Sequence, residues 1–169
     1  MTSVRMGEIA VASGDGDELV ALGLGSCIGL TLIDRSSGVA GLAHVVLPES
    51  REGSTELGKF ADLAVPELID RVRQASATRG RLEAVIAGGA RMFELGSELD
   101  IGARNEAAVR AALSQARITV VAAATGGHRG RTVRVLAGDG TVTVREAGGE
   151  TTTLWSRGGA PKAAAGALV

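Results

Sequence analysis

The feature that most constrains this chain is a pair of short apolar runs, residues 28–33 and 39–47, separated by Asp34, Arg35, Ser36, Ser37 and Gly38. Both runs are rich in Leu, Ile, Val and Gly and are short, which suits strands better than helices. Asp and Ser in the break can bond neighbouring backbone groups, and Gly tolerates positive φ. Pro48 ends the second run. Residues 27–47 therefore read as a β-hairpin.

That hairpin carries the only cysteine, Cys27, and one of the two histidines, His44. Directly opposed residues of an antiparallel pair lie on one face of the sheet. A four-residue turn at 35–38 sets His44 opposite Gly29, one diagonal step from Cys27. A two-residue turn at 35–36 sets it opposite Cys27 itself. Both registers put the two side chains on one face, and a slip of one residue separates them. Gly29, with no side chain, leaves room for an imidazole to lean across. A thiol with an ordinary pKa of about 8.5 needs a neighbouring base to become a nucleophile at neutral pH, and an imidazole can be that base. Each residue alone also fits a bland role, the cysteine as a small hydrophobe and the histidine as a hydrogen-bonded strand residue. Only their combination points to chemistry.

The rest of the chain reads as alternating strands and helices. Residues 19–24 and 82–87 are short buried strands, and 118–124 is a third, ending in Thr125-Gly126-Gly127. Residues 60–73 carry a helical stripe at 60, 63, 64, 65, 68, 69 and 72, with Pro66 either kinking the helix or lying near its first turn. Asn105 is an expected N-cap for a helix over 106–117, with 109, 112, 113 and 116 on its apolar face. Residues 132–136 and 141–145 flank a hairpin turn. Residues 49–59 read as a polar loop. The chain is expected to be one domain over 1–156, with a flexible tail over 157–169.

Composition narrows the function. Aromatics are 2 % of the chain, namely Phe60, Phe93 and Trp155, so the core must come from Val, Leu, Ile and Ala, with 25 glycines for turns and close approaches. A net charge of −1 gives no basic surplus for nucleic acid or an anionic membrane. One cysteine forms no internal disulfide and fits a reducing cytosol. There is no signal-like leader and no run near the roughly 18 apolar residues of a membrane span, so the chain reads as soluble and cytoplasmic. Glycine pairs occur without a full phosphate-binding pattern, and His44, His128 and Cys27 show no metal-ligand spacing. Arg129, Arg131 and Arg134 read as a solvated basic face. The loop from Thr125 through His128 and Arg129 to Arg131 follows a buried strand and is a candidate functional edge.

The segments GLGSCIGLTLID and AGLAHVVLP, with KFADLAVPELI (59–69), IAGGARMF (86–93), IGARNEAAV (101–109) and TGGHRGRTV (125–133), resemble the chemoreceptor glutamine deamidases of the CheD family. The resemblance runs in order from about residue 5 to about residue 150. It implies an α/β fold, a three-layer α/β/α sandwich whose Cys-His site is similar to that of the cytotoxic necrotizing factor toxins. It implies hydrolysis of selected glutamine side chains of chemoreceptors (methyl-accepting chemotaxis proteins) to glutamate with release of ammonia, needing no metal or organic cofactor. Cys27 maps to the nucleophile and His44 to the base, and backbone N–H groups around Ser26 are candidates for the oxyanion. Family members also bind CheC-type phosphatases, so a weakly active chain serving mainly as a binding partner of such a phosphatase or of receptors is the alternative. The sequence departs from the family at Ala21, where members carry a threonine completing a triad. A backbone carbonyl, such as that of Ala21 itself, or another side chain must then orient His44. The loops 49–58, 88–92 and 125–131, with Thr125, His128 and Arg129, are candidate substrate or partner edges.

Overall fold

The computed structural model describes residues 1–92 and 100–159. Among them the chain runs β1 (Thr2–Ser3), β2 (Ile9–Ala12), β3 (Glu18–Leu24), β4 (Ile28–Asp34), β5 (Ala40–Val45), α1 (Ala61–Ala75), β6 (Leu82–Gly88), α2 (Ile101–Gln115), β7 (Thr119–Thr125), β8 (Arg131–Leu136), β9 (Val142–Glu146) and β10 (Thr151–Trp155). The strands form two sheets, ordered β1-β3-β8-β9-β10 and β2-β5-β4-β6-β7.

β4 is the centre of the second sheet, and all seven of its residues are buried. Strand alternation sends Ile28, Leu30 and Leu32 to one face, where they meet Leu68 and Val72 of α1 and Val109 and Leu113 of α2. Ile33 points to the other face, where it joins Leu42 and Val85 against Leu19, Leu24, Val133 and Val135 of the first sheet. The layers are therefore helices, sheet, sheet. The mixed α/β class stands, but the α/β/α layering is corrected to α/β/β among the described residues. The cause is the C-terminal third: β8 pairs with β3, and β9 and β10 extend that sheet over the face a second helical layer would cover.

The hairpin is present in the four-residue-turn register, with Gly29 opposite His44 and Ile33 opposite Ala40. Asp34 N–H donates to the Val39 carbonyl at 2.9 Å, and the Asp34 carboxylate accepts from the Ser36 N–H at 2.9 Å. α1 matches its stripe, burying Ala61, Ala64, Val65, Leu68 and Val72. Pro66 lies within the helix on its exposed side, where the carbonyl it leaves unbonded can face water. α2 starts earlier than expected. Its N-cap is Asp100, whose side chain accepts from the Ala103 N–H at 3.0 Å, so Asn105 is a buried residue inside the helix rather than its cap. Arg157, expected to open a loose tail, instead donates to the Gly138 and Ser36 carbonyls at 3.1 and 3.0 Å. The rest of that tail, 160–169, lies outside the described residues, as does Phe93. Among the described residues no helix is long and apolar enough to cross a membrane.

α1 can approach β5 closely because residue 41 is glycine. A Cβ there would lie 2.6 Å from Val72 Cγ2 and 2.7 Å from Leu68 Cδ1. Val72 is stiff at χ1 and cannot turn aside cheaply. Gly41→Ala is expected to lower the unfolding free energy by about 1–3 kcal/mol, the usual cost of overpacking, read as a shifted urea midpoint with an unchanged slope.

Candidate functional site

The chain crosses from the first sheet to the second through only three residues, Gly25, Ser26 and Cys27, between the ends of β3 and β4. Each of their carbonyls is held. Gly25 accepts from the Ala90 N–H at 2.8 Å, Cys27 from the Gly89 N–H at 2.8 Å, and Ser26 from the Asn105 side-chain amide at 2.9 Å. Gly88 and Gly89 have φ of 110° and 64°, and a Cβ on Gly88 would run into the Cys27 carbonyl, so this approach requires glycine. No other described residue accepts from the N–H groups of residues 25–27.

Cys27 is 8 % exposed and belongs to the apolar cluster between the sheets. The register turns His44 to the same inter-sheet side. His44 is 3 % exposed. Its Nδ1 lies 3.2 Å from the Val4 carbonyl, which can only accept, so Nδ1 carries the proton and Nε2 keeps its lone pair. Nε2 is buried and has no hydrogen-bond partner among the described residues. The strand also holds the residue from its backbone, with the Gly7 N–H donating to the His44 carbonyl and the His44 N–H donating to the Glu8 carbonyl. Cys27 and His44 share a face but no hydrogen bond joins them among the described residues. The space over Gly29 expected for the imidazole is taken by Leu24, whose Cδ1 lies 2.8 Å from where a Gly29 Cβ would be.

Burial dominates the titration of both groups. It pushes the Cys27 thiol up, against a smaller opposing pull from its own backbone N–H. It pushes the His44 imidazole down, against the Val4 carbonyl and the charge of Glu8. The resting pair is thus neutral thiol and neutral imidazole.

The other expected site residues scatter. Ala21 is fully buried in the inter-sheet cluster opposite Val133, and the carbonyl that meets His44 is that of Val4 rather than its own. Ser26 contributes its carbonyl to Asn105. Thr125 Oγ1 donates to Glu106 at 2.9 Å, and His128 Nδ1 lies 3.2 Å from the Arg91 carbonyl at the surface. Arg129 is exposed, with no hydrogen bond among the described residues. Arg131 is not part of a solvated face. It is 7 % exposed and donates to the Gly126 carbonyl at 2.7 Å, the Gly88 carbonyl at 3.3 Å and Glu146 at 2.7 Å, tying together the ends of β6 and β7.

Two residues escaped the sequence reading. Val4 acts through a carbonyl, which no side-chain pattern announces. Asn105 left a signal: it lies one helical turn before Val109 and two before Leu113, a polar residue on an apolar stripe.

A family model described as CheD chemotactic sensory transduction matches residues 46–146. The chain belongs to the CheD family. Three curated relatives carry the name probable chemoreceptor glutamine deamidase CheD. The one from Methanococcus vannielii is 42 % identical over 145 residues, 85 % of this chain and 93 % of its own. That from Symbiobacterium thermophilum is 43 % identical over 154 residues, 88 % of this chain and 93 % of its own. That from Moorella thermoacetica is 45 % identical over 136 residues, 77 % of this chain and 81 % of its own. The CheD model match takes in Asn105 and the 125–131 loop and starts two residues after His44.

The two shifted groups set a stability window. Below the ordinary histidine value of 6.5 the unfolded chain binds a proton that the buried imidazole refuses, so His44 makes stability fall as pH drops toward its folded pKa. Above the ordinary cysteine value of 9.0 the unfolded thiol ionises first, so Cys27 makes stability fall as pH rises. Urea unfolding should therefore show the stability of the unmodified protein relative to His44→Gln shrinking below pH 6.5. Relative to Cys27→Ala, it should shrink above pH 9.

Proposed function

We propose that this chain is a protein-glutamine deamidase acting on the cytoplasmic helices of chemoreceptors, with Cys27 as nucleophile and His44 as base. The observation that carries the reading is His44 itself. A neutral imidazole whose Nδ1 is committed to a carbonyl leaves a buried, unpartnered Nε2 on the face that Cys27 shares. The names of the relatives supply the reaction class.

In this reaction Nε2 takes the thiol proton as the sulfur attacks the side-chain amide carbon of glutamine. The oxygen gains charge and is met by N–H groups of the 25–27 crossing, whose carbonyls are all held elsewhere. The imidazolium returns its proton to the amide nitrogen, ammonia leaves, and a thioester remains. His44 next deprotonates water, which attacks the thioester and releases glutamate and the thiol. The sum is glutamine plus water giving glutamate plus ammonia. Because the resting pair is neutral, proton transfer is coupled to attack rather than completed beforehand.

Ala21 favours a second reading. It puts a methyl group where the resemblance to the family implies a hydroxyl, in a cluster shared with Cys27. A chain weakened in this way would serve chiefly as a partner of receptors or of a CheC-type phosphatase, met through edges such as Thr125, His128 and Arg129.

Purified protein incubated with a glutamine-containing receptor cytoplasmic fragment should add about 1 Da per converted site, as amide becomes acid. Cys27→Ala should abolish conversion, and His44→Ala should slow it by about 10²- to 10⁴-fold. Full activity in Cys27→Ala would remove the nucleophile assignment. Conversion by Ala21→Thr but not by the unaltered chain would favour the binding-partner reading.

A further inference from the structure

Asn105 is fully buried and plays no part in the reaction as written above. Its amide nitrogen donates at 2.9 Å to the Ser26 carbonyl and at 2.9 Å to the Val46 carbonyl. Both partners can only accept, so both amide hydrogens are used and the orientation of the side chain is unambiguous. One bond falls on the residue before Cys27, the other two residues beyond His44.

The Ser26 carbonyl and the Cys27 N–H are the two ends of one peptide group. No peptide bond of the described chain is cis, and in a trans peptide these two ends point in opposite directions. Holding the carbonyl toward α2 therefore aims the Cys27 N–H away from it. We infer that Asn105 is a positioning residue that, by gripping the Ser26 carbonyl, directs the Cys27 N–H at the oxygen that becomes negative in the transition state. This deepens the deamidase reading and rests on it.

Two further observations favour this over a filler role. The oxygen Oδ1 of Asn105 is buried without a partner among the described residues, a penalty that an apolar residue on the Val109 and Leu113 stripe would not incur. The first turn of α2 is also brought close enough for the grip by a glycine. A Cβ on Gly102 would lie 2.5 Å from the Gly89 carbonyl oxygen and 2.7 Å from that of Ala90. The helix thus rests on the same 89–90 segment whose N–H groups hold the Cys27 and Gly25 carbonyls.

An oxyanion donor acts on the transition state more than on the bound substrate, which separates it from a structural prop. In Asn105→Ala, kcat for deamidation of the receptor fragment should fall by about 10- to 100-fold with KM within about twofold. Acylation of Cys27 by p-nitrophenyl acetate, which also passes through an oxyanion, should fall in step. Alkylation by iodoacetamide forms no oxyanion and should stay within about threefold. Val109→Ala, one turn along the same helix and destabilising in its own right, should leave kcat and acylation unchanged. Asn105→Asp, equal in size but facing two carbonyls with acceptors, should behave like the alanine variant and replaces it if that variant does not fold. The proposal is overturned if acylation in a folded Asn105 variant equals that of the unaltered protein. It is equally overturned if alkylation falls as far as acylation, or if Val109→Ala reproduces the loss. Should the unaltered protein acylate but never deamidate, the deamidase reading fails while the acylation series still decides the role of Asn105.

Discussion

The crossing from β3 to β4 is the constraint on which the rest of the site depends. Three residues must carry the chain between stacked sheets, and a segment that short cannot satisfy its own backbone groups. Their carbonyls are met from outside, by Gly89 and Ala90 beyond β6 and by Asn105 of α2. Because each carbonyl is tied to the N–H of the next residue through a planar peptide, anchoring the Gly25 and Ser26 carbonyls turns the Ser26 and Cys27 N–H groups away from those anchors. Backbone donors without a partner in another described residue are thus a by-product of how two sheets are joined. The glycines at 88 and 89 and the one at 102 belong to the same constraint, since each removes a Cβ from a backbone approach.

Burial then sets the chemical state of the two side chains that flank the crossing. A thiolate–imidazolium pair in this apolar cluster would place two charges among Leu24, Ala87 and Leu42, and the desolvation of both works against it. Burial thus holds the Cys27 thiol in its protonated, less nucleophilic form.

Much of this was legible in the residues, and what was not has physical reasons. The hairpin could be read because its turn chemistry and its two apolar runs agree, but counting across the turn left two registers open, and the pairing of Gly29 with His44 selects the four-residue turn. α1 could be read because its stripe is continuous. The second sheet-facing layer could not, because β1 is two residues long and β10, sequence TTTLW, has little alternation to distinguish it from a loop. Arg131 read as surface because arginine usually is, and only the meeting of the Gly88 and Gly126 carbonyls with Glu146 makes its burial tolerable. Asn105 was misread because a good N-capping residue near a helix start matches a buried one inside it in residue type, and only its spacing tells them apart. The stripe at 105, 109 and 113 was the cue that it belonged to the helix interior.

Ala21 raised the question of what orients His44, and the answer lies in the backbone. The Val4 carbonyl holds Nδ1, and Val4 is in turn held by its N–H to the Val20 carbonyl at 2.8 Å, one residue from Ala21. A hydroxyl on β3 would orient the ring from within the sandwich core. A carbonyl from residue 4 does so from a segment secured by the two-residue pairing of β1 with β3 and by the bonds that Gly7 and Glu8 make with His44 itself. Short edge pairings open at lower free energy than central strands do. The tautomer of His44 is therefore only as secure as the N-terminal segment. Fraying there would free Nδ1 and release the ring from the orientation that leaves Nε2 available. With alanine at position 21, the orientation of His44 rests on the edge of the fold rather than on a side chain in its core.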